Sequence, residues 1–371
     1  MDDLQRGEAS DVSGSLLSDL VEICGPGSAR VEGAGFVAAP ATPRSLAALL
    51  VLAGKHGLSV RPRGSGSKFF WGPPAPPADI LIDTARLNGL WGHDGSTAMV
   101  AAGTPVGAAQ AALALHGKRL TLDPPSRGAT IGGVLALNEA GPLRHQFGPP
   151  GGQVLRTDLI DPSGEALRVE GWEGGDGVIT AAVLPVEPIP ASRCWVVRPV
   201  STPTEAGDLV AAATRDFSPS AVEMDLPAAG AGTLALLLEG APDWVATSAG
   251  RLARLLGGSA GLQSAAPAWW GRYPFVPGDV VLRFRVRSWD VPAVVYTVLD
   301  AVGAAAVPVR GSAGAGVLHA VLPRGVSAAR VGDIVVGLKQ VLMARRGQIA
   351  VLTAPPELAA EIEMARPADM F

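Results

Sequence analysis

The apolar residues in the first half of the chain form short segments, some with the spacing of a helix and some typical of strands. Thr42-Pro43 is typical of a helix start, and leucines follow it at helical spacing up to Gly57. Apolar runs of five residues, LSVRP (58–62) and DILID (79–83), predict strands between single helices. This order predicts an α+β fold in this half, because a doubly wound sheet would alternate strand and helix regularly.

The pattern changes after the proline-rich stretch LPVEPIPAS (184–192). Longer strands and amphipathic helices then follow in the order strand–helix–strand–strand–helix–strand, extended to about seven strands. That order predicts a ferredoxin-like domain with an antiparallel sheet. We therefore predict three parts: an N-terminal extension or helix (1–29), a first domain (30–190) and a second domain (191–371).

Composition narrows the class of protein. Charged residues make up 17% of the 371 residues and the formal net charge is -4, so no basic surface for nucleic acid is expected. The two cysteines, Cys24 and Cys194, and the five histidines form no metal-binding motif, which predicts no metal site. The acidic N-terminus lacks the features of a targeting segment, and no apolar stretch suits a membrane span. We expect a cytoplasmic protein.

The first candidate for chemistry is RPRGSGSK (61–68), which directly follows a predicted strand. Two glycines one residue apart let the backbone turn sharply and point successive N–H groups inward. Such a concave loop holds an anion, and the flanking Arg and Lys add positive charge. The loop matches neither the Walker A pattern nor GxGxxG. A glycine-rich surface loop without a ligand explains the same residues.

The second candidate is ATIGGVLALNEAGP (129–142). Gly132-Gly133 permits close approach of the backbone to a ligand or to a neighbouring strand. Asn138 and Gly141 are typical of a helix end in the left-handed region. Taken alone, this segment is best explained as a tight turn.

Together the two segments resemble one family. RPRGSGSK, ILIDTARLN, VAAGTP, LDPP, ATIGGVLALNEAGPLRHQFG and GVITAAVLPVEPIP follow one another as in the FAD-binding domain of the vanillyl-alcohol oxidase (PCMH-type) family. GPLRH makes the chain most similar to the FAD-binding E subunits of bacterial glycolate oxidases. The resemblance covers roughly residues 30–190. It implies a two-part FAD-binding domain followed by a cap domain.

The resemblance assigns FAD-binding roles residue by residue. The pyrophosphate would lie in a loop made of Pro62, Arg63, Gly64, Ser65, Gly66 and Ser67. A second wall along the pyrophosphate, ribityl chain and flavin would consist of Thr130, Ile131, Gly132, Gly133, Asn138 and Gly141. Val178 and Ile179 would pass the adenine. Arg144 and His145 would lie near the flavin, where His145 is either functional or a packed structural residue, and no catalytic residue is assigned.

One departure from the family concerns GWEGGD (171–176). Family members have a longer segment here that packs against the flavin, about two dozen residues more than this chain carries. We expect the flavin ring to be incompletely enclosed. The isolated chain should then oxidise 2-hydroxy acids negligibly.

The implied function is that of an FAD-binding subunit in a glycolate oxidase-like complex that oxidises a small 2-hydroxy acid. Its expected partners are a second FAD-binding subunit of the same family and a cysteine-rich iron–sulfur subunit, which could hold the complex at the inner face of the membrane. The alternative is a degenerate, non-catalytic paralogue that stabilises those two partners.

Two further features suggest structural roles. Trp269-Trp270 is interpreted as an aromatic plug between domains, with a substrate or subunit contact as the alternative. Arg283, Arg285 and Arg287 alternate along a predicted strand and are expected to form a solvated face.

Overall fold

The computed structural model describes residues 14–172, 174–228, 230–303 and 307–365. The elements of the first domain, in chain order, are α1 (14–24), β1 (Ala29–Glu32), β2 (Gly35–Ala38), α2 (Pro43–Lys55), β3 (Val60–Arg63), β4 (Ile80–Asp83), β5 (Leu90–His93), β6 (Thr97–Ala101), α3 (Val106–Ala114), β7 (Lys118–Leu120), α4 (Ile131–Ala136), α5 (Arg144–Phe147), α6 (Pro150–Gln153), β8 (Arg156–Ile160), β9 (Ala166–Glu170) and β10 (Val178–Pro188). The first 13 residues of the predicted N-terminal extension lie outside the described residues.

The first domain is built on two sheets. The smaller sheet has the order β1-β2-β4-β3, with β4 parallel to both β2 and β3. The larger is antiparallel in the order β5-β6-β10-β8-β9, and β7 pairs with the far end of β10. Helix α2 starts as predicted, because Thr42 and Ser45 form a reciprocal capping box. Its buried leucines pack against the smaller sheet.

The second domain carries one large sheet. Its elements are β11 (Ser192–Val200), α7 (Pro203–Asp216), β12 (Ala221–Ala228), β13 (Ala231–Gly240), α8 (Pro242–Leu256), β14 (Gly261–Gln263), β15 (Val281–Arg285), α9 (Val291–Val302), β16 (Val309–Ser312), β17 (Val317–Val321), α10 (Ala328–Met343), β18 (Gln348–Thr353) and α11 (Pro356–Ala359). In the described residues the sheet has eight strands, against the seven or so expected, in the order β14-β11-β13-β12-β16-β17-β15-β18. All its pairings are antiparallel. The predicted α+β class and antiparallel second sheet are confirmed.

Alternation along these strands decides which side chains meet the first domain. Leu282 and Phe284 of β15 belong to the core beneath the helices, whereas Arg283 points to the opposite face. On β17, Leu318 lies in that core and His319 on the opposite face. The opposite face is covered by the first domain, so Arg283 is 5% exposed. The expected solvated face is therefore wrong for Arg283, although Arg285 and Arg287 are exposed.

Two aromatic clusters and one ionic network hold the domains together. Trp71 of the first domain contacts Tyr273 edge-on with ring centroids 5.4 Å apart. Trp270 packs against Trp195 in a cluster that includes Leu143 of the first domain, as the plug interpretation predicts.

The ionic network centres on Arg119 of β7. Arg119 donates two hydrogen bonds to Glu239 of β13, at 2.7 and 2.8 Å, and one to Glu187 at 2.7 Å. Arg193 bonds the same Glu239. Arg119 is 7% exposed, so this bidentate pair fixes the relative position of two domains from inside their contact.

Candidate functional site: a groove along the glycine loops

The loop after β3 has the features of an anion-binding loop. Gly66 has φ +72°, a conformation that favours glycine, and it turns the chain back towards β3. The backbone N–H groups of residues 64–68 donate no hydrogen bond to any other group in the described residues. A row of such donors in a tight loop is what a pyrophosphate accepts from.

The second segment packs directly against this loop. Thr130 caps α4, with its hydroxyl oxygen accepting a hydrogen bond from Gly133 N at 3.3 Å. A Cβ at Gly64 would overlap that same hydroxyl, so only glycine permits the two loops to approach. Asn138 is left-handed with φ 47°, as predicted for a helix end, and its side-chain oxygen accepts from Gly151 N at 2.7 Å.

Two cavities meet along these segments. The glycine-lined cavity, of about 710 Å³, is bounded by Gly132, Gly133, Gly151 and Gly152 and reaches Val178 and Ile179. The apolar cavity, of about 720 Å³, lies between residues 61–75 and the second-domain residues Pro277, Gly278, Ala354 and Pro356. Both are lined by Pro62, Gly64, Gly133, Ala136 and Leu137, so they form one groove. Each falls in the range of ligand sites.

All the predicted cofactor-binding residues line this groove except two. Those that line it are Pro62, Arg63, Gly64, Ser65, Gly66, Ser67, Thr130, Gly132, Gly133, Asn138, Val178 and Ile179. Ile131 is fully buried in the core beneath α4. Gly141 lies against the backbone of Asp123, where a Cβ would overlap the Asp123 carbonyl oxygen. These two residues do not line the groove but pack behind the residues that do.

The shortened connection lies at the glycine-lined end of the groove. Trp172 and residues 174–177 line that cavity and not the apolar one. Trp172 donates from Nε1 to Leu135 O at 3.0 Å, which fixes its ring against α4. Glu173 lies outside the described residues. The apolar cavity has other walls, formed by the FFWGPPA segment (69–75) and the second domain.

A buried ion pair stands behind the apolar cavity. Lys68 Nζ donates to Glu139 Oε2 at 2.6 Å, and the two side chains are 5% and 0% exposed. Glu139 Oε1 also accepts from Ser126 N and from the Tyr273 hydroxyl, both at 3.0 Å. The pair thus links the glycine loop to the second domain. The sequence predicted Lys68 only as a flanking charge of the loop and did not predict Glu139, because their pairing spans 71 positions.

Beyond Tyr273 lies a cluster of buried ionisable groups. Burial raises the pKa of Asp123 to about 7 and that of Glu223 to about 8, whereas it lowers the pKa of Arg144, Arg283 and His319. A cavity lined by Arg144, Glu223 and His319 measures about 30 Å³, room for one or two waters. Its lining shares no residue with the groove.

Arg144 and His145 belong to this packed junction. Arg144 lines the 30 Å³ cavity. His145 packs against Gly314 of the second domain, and burial lowers the pKa of its imidazole. The contact fits the structural interpretation of His145 given above.

No metal-binding group of three or more His, Cys, Asp or Glu side chains occurs in the described residues. None of the described helices has the length and apolar character needed to cross a bilayer.

Known proteins match both the groove and the fold. A family model described as "FAD binding domain" matches residues 34–170. An uncharacterized FAD-linked oxidoreductase of Mycobacterium tuberculosis is 30% identical over 138 residues, covering 37% of this chain and 30% of that protein. The glycolate oxidase subunit GlcE of Escherichia coli K12 is 35% identical over 113 residues, 29% of this chain and 32% of its own length. The match therefore spans about a third of these relatives.

The fold is shared more widely than the sequence. The structure of a wild-type Phl p 4 glucose dehydrogenase superposes with a TM-score of 0.67 over 92% of this chain and 86% of that one, at 13% identity. That likeness covers both domains and supports the two-domain α+β architecture. With residues 34–170 matching the FAD-binding domain, this part of the chain is similar to the FAD-binding domains of PCMH-type oxidoreductases, whose cofactor is FAD.

Proposed function

We propose that this chain is an FAD-binding subunit of a flavoprotein complex that oxidises a small 2-hydroxy acid. The groove carries the proposal: a row of free backbone donors at residues 64–68 lines the apolar cavity and begins at Gly64, which also lines the glycine-lined cavity. A dinucleotide needs those three environments, for its polar nucleotide end, its pyrophosphate and its flat ring.

The chain's own residues divide this work. The 62–67 loop binds the pyrophosphate, and Val178 with Ile179 lines the adenine end. Phe70, Trp71 and Leu137 pack together at the apolar cavity and exclude water there. Bound FAD supplies the two-electron chemistry, and the protein supplies binding and orientation.

The packed junction supports a division of labour with partners. A 2-hydroxy acid has at least five heavy atoms, more than the 30 Å³ among Arg144, Glu223 and His319 admits. We therefore place substrate oxidation on a second FAD-binding subunit of the same family. Electrons would leave through a cysteine-rich iron–sulfur subunit, because two cysteines are too few for a cluster on this chain. The assembly would be cytoplasmic, at the inner face of the membrane through its partners.

The same packing favours a second candidate, a structural subunit without catalysis. The shortened 171–176 connection reduces the wall at the adenine end to Trp172, two glycines and Asp176. In that case the chain would bind FAD weakly or not at all and would stabilise its partners only.

One preparation tests both candidates. The chain is purified alone and with its genomic neighbours, and its spectrum is recorded before and after boiling. Under the main proposal the isolated chain releases FAD and is not bleached by anaerobic glycolate or lactate, whereas the complex is bleached. Bleaching of the isolated chain at ~1 s⁻¹ or faster would give it an independent active site. A colourless chain in an active complex would favour the structural subunit.

A further inference from the structure

Lys68 is the buried cation on the wall of the apolar cavity. Its ammonium donates to Glu139 Oε2 at 2.6 Å and to Ser67 Oγ at 3.3 Å. An ammonium has three N–H donors. The third has no acceptor within the described residues, although the side chain is only 5% exposed. A buried, partly unsatisfied ammonium that lines a cavity points to an acceptor on the ligand in that cavity.

The two members of the ion pair differ in their position relative to the groove. Lys68 lines the apolar cavity, whereas Glu139 lines neither cavity. Two further hydrogen bonds, from Ser126 N and the Tyr273 hydroxyl, hold the Glu139 carboxylate behind Lys68. The nearer charge dominates the field at a given point, so the pair presents a net positive potential to the cavity.

The other cations that line the apolar cavity, Arg61 and Arg63, already have partners within the chain. Arg61 donates to Pro76 O and stacks over Phe69. Arg63 pairs with Asp83 at 3.2 Å. Lys68 is also the more buried cation, since the side chain of Arg63 is 25% exposed. Its charge is therefore less screened by water.

We propose that Lys68 sets the reduction potential of the flavin by stabilising the negative charge of the reduced ring. The inference rests on the proposed function, because it requires FAD in the groove. Uptake of two electrons and one proton converts the neutral oxidised ring into a reduced ring with one negative charge. A fixed cation beside the ring favours that form and raises the potential.

The test is a reductive titration of the FAD-loaded chain with dithionite as the electron source, solvent as the proton source and a reference dye. Lys68→Gln should lower the ratio of reduced to oxidised flavin at fixed potential about tenfold, which for two electrons is about 30 mV. Glu139→Gln should change the ratio in the opposite direction, because it leaves the Lys68 charge unopposed. Lys68→Arg keeps the charge and should restore most of the wild-type potential.

Shifts of opposite sign in the reduction potentials of Lys68→Gln and Glu139→Gln distinguish this role from a structural one. Loss of the pair as a packing element would shift both glutamine variants in the same direction, and that result would overturn the inference. A shift below twofold in Lys68→Gln would also overturn it. Wild-type protein that binds no FAD would overturn the proposed function together with the inference.

ADP serves as the second probe, because it carries the pyrophosphate and no ring. Lys68→Gln should bind ADP within twofold of wild type, measured by titration calorimetry at a temperature at which the variant is folded. A tenfold loss of ADP affinity would assign Lys68 to the pyrophosphate and would overturn its role at the ring.

Discussion

The groove and the domain junction are neighbouring regions built on opposite principles. In the groove, glycines and free backbone N–H groups leave room and donors for a ligand. At the junction, Arg119 and Glu223 are buried, Asp123 and Glu239 are half-buried, and the adjoining cavities measure about 30 and 370 Å³, smaller than those of the groove. A binding site needs unsatisfied groups that a ligand completes, whereas most groups of a structural contact are paired within the chain, as Arg119 and Glu239 are here.

The largest expected effect is at the junction. Arg119→Ala removes the partner of two carboxylates, and Glu239 would remain buried without its bidentate partner. We expect the free energy of unfolding to fall by about 3–5 kcal/mol, as when one member of a buried pair is removed. Urea unfolding monitored by tryptophan fluorescence measures this loss.

Lys339→Ala is the matched control. Its partner Glu363 is 3.0 Å away, and both side chains are largely exposed. This variant should stay within about 0.5 kcal/mol of wild type. Equal losses in the two variants would remove the distinction between a buried junction and an ordinary surface.

The next effect is on ligand binding in the groove. Gly64→Ala places a methyl group against the Thr130 hydroxyl and pushes the loop away from the second segment. We expect FAD affinity to fall tenfold or more, measured by fluorescence titration of the protein freed of flavin. Unchanged affinity would show that the close approach of the two loops is unnecessary for binding.

A smaller effect is expected on how the stability of the protein depends on pH, through Glu223 at the junction. The pKa of Glu223 rises from 4.5 in the unfolded chain to about 8 on folding, chiefly because burial disfavours its charge. Between these values the folded state holds a proton that the unfolded state has released, so stability falls as pH rises. Glu223→Gln should match wild type near pH 4.5 and exceed it by about 1 kcal/mol or more at pH 9.

Urea unfolding of both proteins from pH 5 to pH 9 checks this prediction. Parallel curves for wild type and Glu223→Gln would show that Glu223 is ionised in the folded protein. The assignment of Glu223 to a contact that excludes bulk water would then be wrong.

The smallest expected effect is on stability and concerns a glycine outside the groove. Gly54 lies within α2, and a Cβ there meets nothing within 4 Å. Gly54→Ala should raise stability by about 0.5–1 kcal/mol, because alanine loses less backbone entropy in a helix. Thermal unfolding would show the gain, with FAD affinity unchanged. Reduced FAD affinity would mean that glycine content as such, and not the groove, governs binding.

Sequence reasoning reached the groove because its residues are local. The spacing of Gly64 and Gly66 after a strand, and of Thr130 before Gly133, fixes a loop and a helix start whatever lies around them. The family resemblance supplied their common ligand. Gly141 was placed with them by motif alone, and its packing against Asp123 depends on a contact that spacing does not contain.

The junction could not be predicted in the same way. Arg283 alternates with apolar residues as a solvated residue would, and only the covering domain buries it. Arg119 meets Glu239 across 120 positions, and Lys68 meets Glu139 across 71. Such contacts follow from how two domains dock, which no local pattern encodes.

The central claim, that the loop after β3 holds the pyrophosphate of FAD, is tested most directly by flavin content in Gly66→Trp. The φ of +72° at Gly66 disfavours any side chain, so a tryptophan there would distort the loop whose N–H groups are proposed to hold the pyrophosphate. Flavin per chain is measured after boiling, beside the unfolding temperature of each protein. The account predicts about one FAD per wild-type chain and a large loss in a variant that remains folded. Full occupancy in folded Gly66→Trp would contradict it.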